Sequence, residues 1–209
     1  MFYELKYWDD WYESHTELFD WYVQLPVFFT HIQKHFHPDK NILVLGAGVS
    51  RLPYQLYDLG YKNVTCIDFS AGAKKNMEGE LRKRPGMVYI VRDVAELNKS
   101  LFNHLFDIVI DKGLLDCLLT NSFEPLTAMK QAIETVYQIM SPKSMWFTLS
   151  FDGIDRQEML EYCTSKTFVV SKPYKVIPPA LEISIQTMPT FYLYKLEHMP
   201  AASATLTAQ

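Results

Sequence analysis

The sequence predicts an α/β fold in which a seven-stranded, mostly parallel sheet carries helices on both faces and closes on an antiparallel strand. Three observations lead there. Short apolar runs at 41–46, 63–68, 87–91, 106–111 and 145–151 alternate with amphipathic stretches, the pattern of parallel strands joined by right-handed crossovers. The first run ends in Gly46-Ala47-Gly48 and the second in Asp68. The last two strand patterns, 166–177 and 190–196, are joined by a Pro-rich connection. That connection lacks a helix long enough for another crossover, so the two strands read as an antiparallel hairpin at one edge.

The elements follow in order. Residues 4–14 place Tyr7, Trp8, Trp11 and Tyr12 at helical spacings, and Phe19, Trp21 and Tyr22 come next. A second helix is predicted over 25–37, closed by Pro38-Asp39-Lys40. Ser50 is a plausible N-cap for a helix that tolerates Pro53 in its first turn and stops at Gly60. Ser70 opens another helix to about Lys83, and Pro85-Gly86 turns the chain into the third strand. A long amphipathic helix covers 123–140 and ends at Ser141-Pro142, and 155–165 forms a short one.

Composition narrows the function. The chain has 209 residues, 48% of them apolar, enough for one domain with a full core. Its net charge of -4 lacks the basic excess of a general nucleic-acid binder. The lysines and arginines between Lys74 and Arg84 read as solvated helix charge. Cys66, Cys117 and Cys163 form no CxxC pair and read as reduced thiols of an intracellular, cytoplasmic protein. No signal peptide or membrane-spanning run is evident, so no membrane partner is expected. His31 and His35 share a helical face, but neither His37 nor any carboxylate or cysteine completes a set, so no metal site is expected and solvent-facing helix-end histidines are.

Glycines after a buried strand let the backbone turn sharply and approach a ligand. An acid at the tip of the next strand is placed to take two ribose hydroxyls. The dinucleotide pattern G-x-G-x-x-G needs a third glycine, and Arg51 stands there instead. That favours S-adenosylmethionine, which has no phosphate, over a nicotinamide or flavin dinucleotide. Asp93, after the third strand, is placed to accept from an adenine amine, with Val94 beside it. Asp68 and Asp93 could instead cap the helices that follow them, but one site that uses both acids with the two glycines is the favoured reading.

On these residues the chain resembles the seven-strand S-adenosylmethionine-dependent protein-lysine methyltransferases of the elongation factor 1-alpha lysine methyltransferase 4 and methyltransferase-like 13 type. The resemblance runs from about Tyr7 to Met140. It is carried by Tyr7-Trp8-Asp9-Asp10-Trp11-Tyr12, Phe19-Asp20-Trp21-Tyr22, Leu45-Gly46-Ala47-Gly48-Val49-Ser50 and Val64-Thr65-Cys66-Ile67-Asp68-Phe69-Ser70, with Asp111-Lys112-Gly113-Leu114-Leu115-Asp116 the most specific segment. It implies a Rossmann-like methyltransferase sheet and a protein-lysine N-methyltransferase with elongation factor 1-alpha as protein partner. It also implies an N-terminal aromatic helical lid at about 1–37 on a single domain of 1–199, with a frayed tail at 200–209. Trp8, Tyr12 and Trp21 would fold over the cofactor. Gly46 and Gly48 would form the turn that meets it, Asp68 would hold the ribose, and Phe69, Asp93 and Val94 would flank the adenine. Lys112 would stand at the mouth of the site, and Asp111 and Asp116 are candidates for orienting the acceptor amine.

Two positions depart from the family. Val49 replaces a polar residue beside the amino-acid end of the donor, and Leu114 replaces a threonine beside the acceptor entrance. They leave two other readings open: a methyltransferase for a small molecule or another protein site, and a cofactor-binding but inactive partner subunit. Oligomeric state is not readable from the sequence.

Overall fold

Residues 42–45 form a strand buried at every position, as its apolar run requires of a strand covered on both faces. In the computed structural model, which describes residues 2–121, 123–165, 167–178 and 189–199, this strand, β1 (Ile42–Leu45), pairs in parallel with β2 (Val64–Asp68) and β4 (Phe106–Lys112). β3 (Val88–Val91) pairs in parallel with β2, and β5 (Met140–Ser150) with β4. The antiparallel strand is β8 (Phe191–His198), which lies between β5 and the short strands β6 (Phe168–Val170) and β7 (Tyr174–Val176).

The α/β class and the reversed closing strand are as expected, but the described residues make eight strands. The pattern at 166–177 is split into β6 and β7. Pro173 lies in the gap and has no N–H to give to a ladder. Ser171 fills the break, donating its N–H to the Lys195 carbonyl at 2.9 Å and accepting the Lys195 N–H on its hydroxyl at 3.0 Å. The expected tail at 200–209 and much of the Pro-rich connection lie outside the described residues.

Helices cover both faces. On one lie α1 (Leu5–Ser14), α2 (Leu25–Ile32), α3 (Leu52–Asp58) and α4 (Ala71–Arg82), packed on a core that includes Phe28, Ile32, Leu56 and Phe147. On the other lie α6 (Pro125–Ile139) and α7 (Ile154–Thr164). α6 buries Met129, Ala132, Ile133, Val136 and Ile139, a stripe at spacings of three and four, against Phe106, Val109 and Trp146. Each of the larger side chains, Ala132 excepted, contributes about 1.5–3 kcal/mol on burial. A five-residue helix, α5 (Leu114–Leu118), follows β4; it is too short to show a period, and the sequence reading has no helix there. The predicted helix at 25–37 ends early, passing at Gln33 into one 3-10 turn. His31 and His35 are half-buried rather than solvent-facing: His31 stacks on Tyr174 and His35 tilts against Phe147.

α1 is fastened to the sheet-side helix α4. Ser70 caps α4 by accepting the Ala73 N–H at 3.3 Å and donates its own proton to Asp9 on α1 at 2.5 Å. The Asn76 amide donates to the Tyr12 carbonyl at 2.9 Å. Ser70→Ala removes the cap and the tether together, and is expected to cost about 2 kcal/mol. Urea denaturation followed by tryptophan fluorescence measures it.

Candidate functional site

A cavity of about 500 Å³ opens over the carboxyl ends of β1, β2 and β4, the place where open parallel sheets bind ligands. Its floor is the turn after β1. Gly46 and Gly48 both take left-handed backbone, with φ of 55° and 50°. A Cβ on Gly48 would stand 2.5 Å from the Tyr12 hydroxyl, so glycine is what allows α1 to sit on the turn. Tyr89 on β3 pins the same turn by donating to the Gly48 carbonyl at 2.9 Å.

Asp68 stands at the tip of β2. Its Oδ2 accepts the Gly48 N–H at 2.8 Å and its Oδ1 the Ser70 N–H at 2.9 Å. The Phe69 N–H also favours the charged carboxylate, and of about four acceptor positions these backbone donors leave room for a further one. Burial raises its pKa to about 6, against the opposing pull of those N–H donors. Asp93 opens a 3-10 turn and accepts the Ala95 N–H on Oδ1 at 2.9 Å, while Phe69 and Val94 line the cavity beside it. Both acids therefore cap the segments that follow them while facing the cavity.

The roof is aromatic. Trp8 and Tyr12 are buried and stacked at 5.7 Å, and Trp21 meets Trp8 edge-on at 5.8 Å. The segment after α1 is anchored by Asp20, whose Oδ1 accepts from Lys112 Nζ at 2.7 Å and from the Ser50 hydroxyl at 2.5 Å. Lys112 also donates to the Val23 carbonyl at 3.1 Å. Arg51 lies 3.5 Å from the other Asp20 oxygen. Burial lowers the Lys112 pKa and the Asp20 charge opposes it. Lys112 lines the cavity as expected at the mouth, yet both its partners lie in the N-terminal segment.

Ten of the candidate residues (Trp8, Tyr12, Trp21, Gly46, Gly48, Asp68, Phe69, Asp93, Val94 and Lys112) line this one cavity, and so does Asp116. Asp111 does not, and its expected contact with an acceptor amine is corrected. Side chains alternate along β4, so Lys112 faces the cavity and Asp111 the opposite core. There Asp111 accepts from Trp146 Nε1–H at 2.8 Å and the Leu115 N–H at 3.4 Å, fully buried. Asp116 is reached only in part. Its carboxylate accepts from Tyr22, Ser150, Arg156 and the Phe151 N–H. Tyr22, Asp20 and Arg156 were not among the site residues read from the sequence. Tyr22 and Asp20 fall within the aromatic segment that carries the resemblance, whereas Arg156 has no local signal.

Known proteins share parts of this sequence and its fold. The chain is 30% identical to EEF1A lysine methyltransferase 4 of Bos taurus over 143 residues, 68% of this chain and 55% of that protein. It is 32% identical to eEF1A lysine and N-terminal methyltransferase of Homo sapiens over 122 residues, 57% of this chain and 17% of that protein. The chain is a sequence relative of these lysine methyltransferases. No family model matches it. It spans about half the length of the first of these relatives. Its fold is that of S-adenosylmethionine-dependent methyltransferases: N-methyltransferase NodS of Bradyrhizobium japonicum, with bound S-adenosylhomocysteine, aligns at TM-score 0.61 and 13% identity over 91% of this chain and 98% of that one. The glycopeptide N-methyltransferase MtfA, with the same ligand, aligns at 0.63 and 11% identity over 91% and 97%.

Local packing accounts for Leu114, one of the two departures from the family pattern. Its side chain packs within 3.1–3.5 Å of where a Gly46 Cβ would lie, closing the space above the turn. Val49 is buried, and its carbonyl accepts the Phe19 N–H at 3.1 Å, so at this position the backbone holds the roof.

Burial pushes the Asp111 carboxyl up to about 7, against the donors that favour its charged form. The native state therefore keeps this proton between roughly pH 4 and 7, where the unfolded chain has released it. Stability from this group is present below that window and is lost as pH rises through it. Asp111→Asn keeps an acceptor for Trp146 and is expected to flatten the decline between pH 5 and pH 8. Denaturation midpoints at the two pH values check it.

Proposed function

We propose that this protein is an S-adenosylmethionine-dependent methyltransferase that modifies a lysine amine of elongation factor 1-alpha in the cytoplasm. The observation that carries the reading is the Asp68 carboxylate at the β2 tip, facing the cavity with acceptor capacity beyond its backbone donors, between the glycine turn and the aromatic roof. The names of the relatives support the substrate. No helix among the described residues is long and apolar enough to cross a membrane.

The donor set suits an adenosyl sulfonium better than a dinucleotide. Lys112 is held by Asp20 at 2.7 Å. Arg51 pairs with the other Asp20 oxygen at 3.5 Å and does not line the cavity, and Arg92, which does, pairs with Glu96 at 3.2 Å. Asp68 would accept from the ribose hydroxyls. Asp93, with one oxygen uncommitted, would accept from the adenine amine beside Val94 and Phe69. Aromatic faces of Trp8, Tyr12 and Trp21 attract a cation more strongly once water is excluded. When bound, S-adenosylmethionine supplies an activated methyl group. The chain's own residues supply alignment, which alone accounts for several kcal/mol of barrier lowering. Lys112 serves by holding the roof and Asp116 by fixing Tyr22. Residues 1–199 act as one domain with a lid at about 1–37.

Calorimetry with S-adenosylhomocysteine tests the cofactor. Asp68→Ala is expected to weaken binding roughly 100-fold, the loss of a charged double hydrogen bond. For the unaltered protein, affinity is expected to fall as pH drops through about 6, because protonation removes the acceptor charge of Asp68. Labelled donor with purified elongation factor 1-alpha tests the substrate, and label on a lysine of that protein is the expected result. Label only in small molecules, or binding without transfer, overturns the assignment.

A further inference from the structure

Asp116 lies in the wall of the cavity below Tyr22 and Gly113, and its carboxylate is filled. Oδ1 accepts from the Ser150 hydroxyl at 2.8 Å and Arg156 Nη2 at 2.6 Å, and Oδ2 from the Tyr22 hydroxyl at 2.6 Å and the Phe151 N–H at 3.2 Å. A carboxylate has about four acceptor positions, so an incoming ammonium finds none free. The consequence falls on Tyr22. Its one hydroxyl proton is committed to Asp116, and no donor reaches its oxygen among the described residues. The oxygen keeps its lone pairs on a residue that lines the cavity. It is an acceptor with no proton left to give.

The residue is fixed in that role. Its ring stacks on Phe191 with centroids 4.9 Å apart and meets Phe151 edge-on at 6.4 Å. Gly113, at φ 88°, makes room for it, since a Cβ there would lie 3.1 Å from the Tyr22 hydroxyl. Tyr22 itself has φ 64°, a backbone region that bulky L-residues rarely enter and that persists only where the surroundings over-determine it. Burial and the Asp116 charge push its phenol far above the ordinary range, which keeps it protonated, and the hydrogen bond at 2.6 Å directs that proton to Asp116.

We propose that Tyr22 Oη is the acceptor-binding group of the site, taking an N–H of the incoming amine and so selecting primary and secondary amines. The inference rests on the amine-transfer reading above. A neutral lysine amine has two N–H bonds and one lone pair, a monomethyl amine one N–H, and a dimethyl amine none. With an N–H held by Tyr22, the lone pair is free to attack. That pair forms the N–C bond as the C–S bond breaks, sulfur keeps the electrons of the broken bond, and the new ammonium releases a proton to water. Tyr22 therefore assists the first and second transfers and gives no hold on the third.

The test is a binding titration that needs no turnover. n-Butylammonium presents N–H bonds and n-butyltrimethylammonium none, and both are titrated by NMR into the wild-type protein and Tyr22→Phe, with and without S-adenosylhomocysteine. Tyr22→Phe is expected to lose about tenfold in affinity for the first ligand and nothing for the second. Asp116→Asn serves where the first variant fails to fold. Its carbonyl must face Arg156, so its amide donates to Tyr22 and turns the hydroxyl proton toward the cavity, and the same selective loss is expected. Equal affinities across the proteins, equal losses for both ligands, or no uptake of n-butylammonium overturns the inference. A selective loss in a protein that transfers no methyl group supports Tyr22 as an amine acceptor and defeats the functional reading instead.

Discussion

The buried ion pair of Lys112 with Asp20 holds the two parts of the site together. Each side chain is only 5% exposed, and their charged atoms lie 2.7 Å apart. Taking both charges out of water costs several kcal/mol per ion, and the pair offsets that only because each partner makes further contacts. Lys112 reaches the Val23 carbonyl, and Asp20 receives Ser50 and the Arg51 N–H. Removing either partner would strand the other. The N-terminal segment is thereby joined to the end of β4 and to the start of α3, elements far apart in sequence.

The site's chemistry follows from which charges remain uncommitted. Lys112, Arg51 and Arg156 are each engaged by a carboxylate, and Asp116 is filled by its own donors. Asp68 and Asp93 keep acceptor capacity, and the aromatic roof contributes no formal charge. Of those three cations only Lys112 lines the cavity, joined there by Arg92, itself paired to Glu96. The lining therefore favours cationic and hydroxyl-bearing ligands over phosphate. The preference comes from internal pairing, which explains why Arg51 in a glycine position does not make an anion site.

Much of this was legible beforehand. The strand tips that carry Gly46, Gly48, Asp68 and Asp93 are local features, each an apolar run ended by a turn residue or acid. The aromatic helix was visible as a spacing. Other features depend on contacts across the chain. Asp111 and Lys112 are adjacent, and only the pleat decides that one faces the cavity and the other Trp146. Arg156 meets Asp116 from 40 positions away in sequence. Tyr22 drew no role from the sequence, because neither its positive φ nor the hydrogen bond to Asp116 has a sequence mark. The split of the sixth strand was written in Pro173, although the pairing of both halves with β8 was not.

The place of β8 bears on how the molecule acquires its shape. It is the last described strand in the chain, yet it lies inside the sheet, between β5 and the pair formed by β6 and β7. Until residues 191–198 arrive, β5 presents an open hydrogen-bonding edge, with Trp146 and Phe147 among its side chains. Strands that wait for distant partners assemble slowly and are exposed to mispairing with other chains. Nascent or truncated copies ending before Phe191 would carry that sticky border, so quality control during synthesis has most to act on in the interval before the final strand inserts.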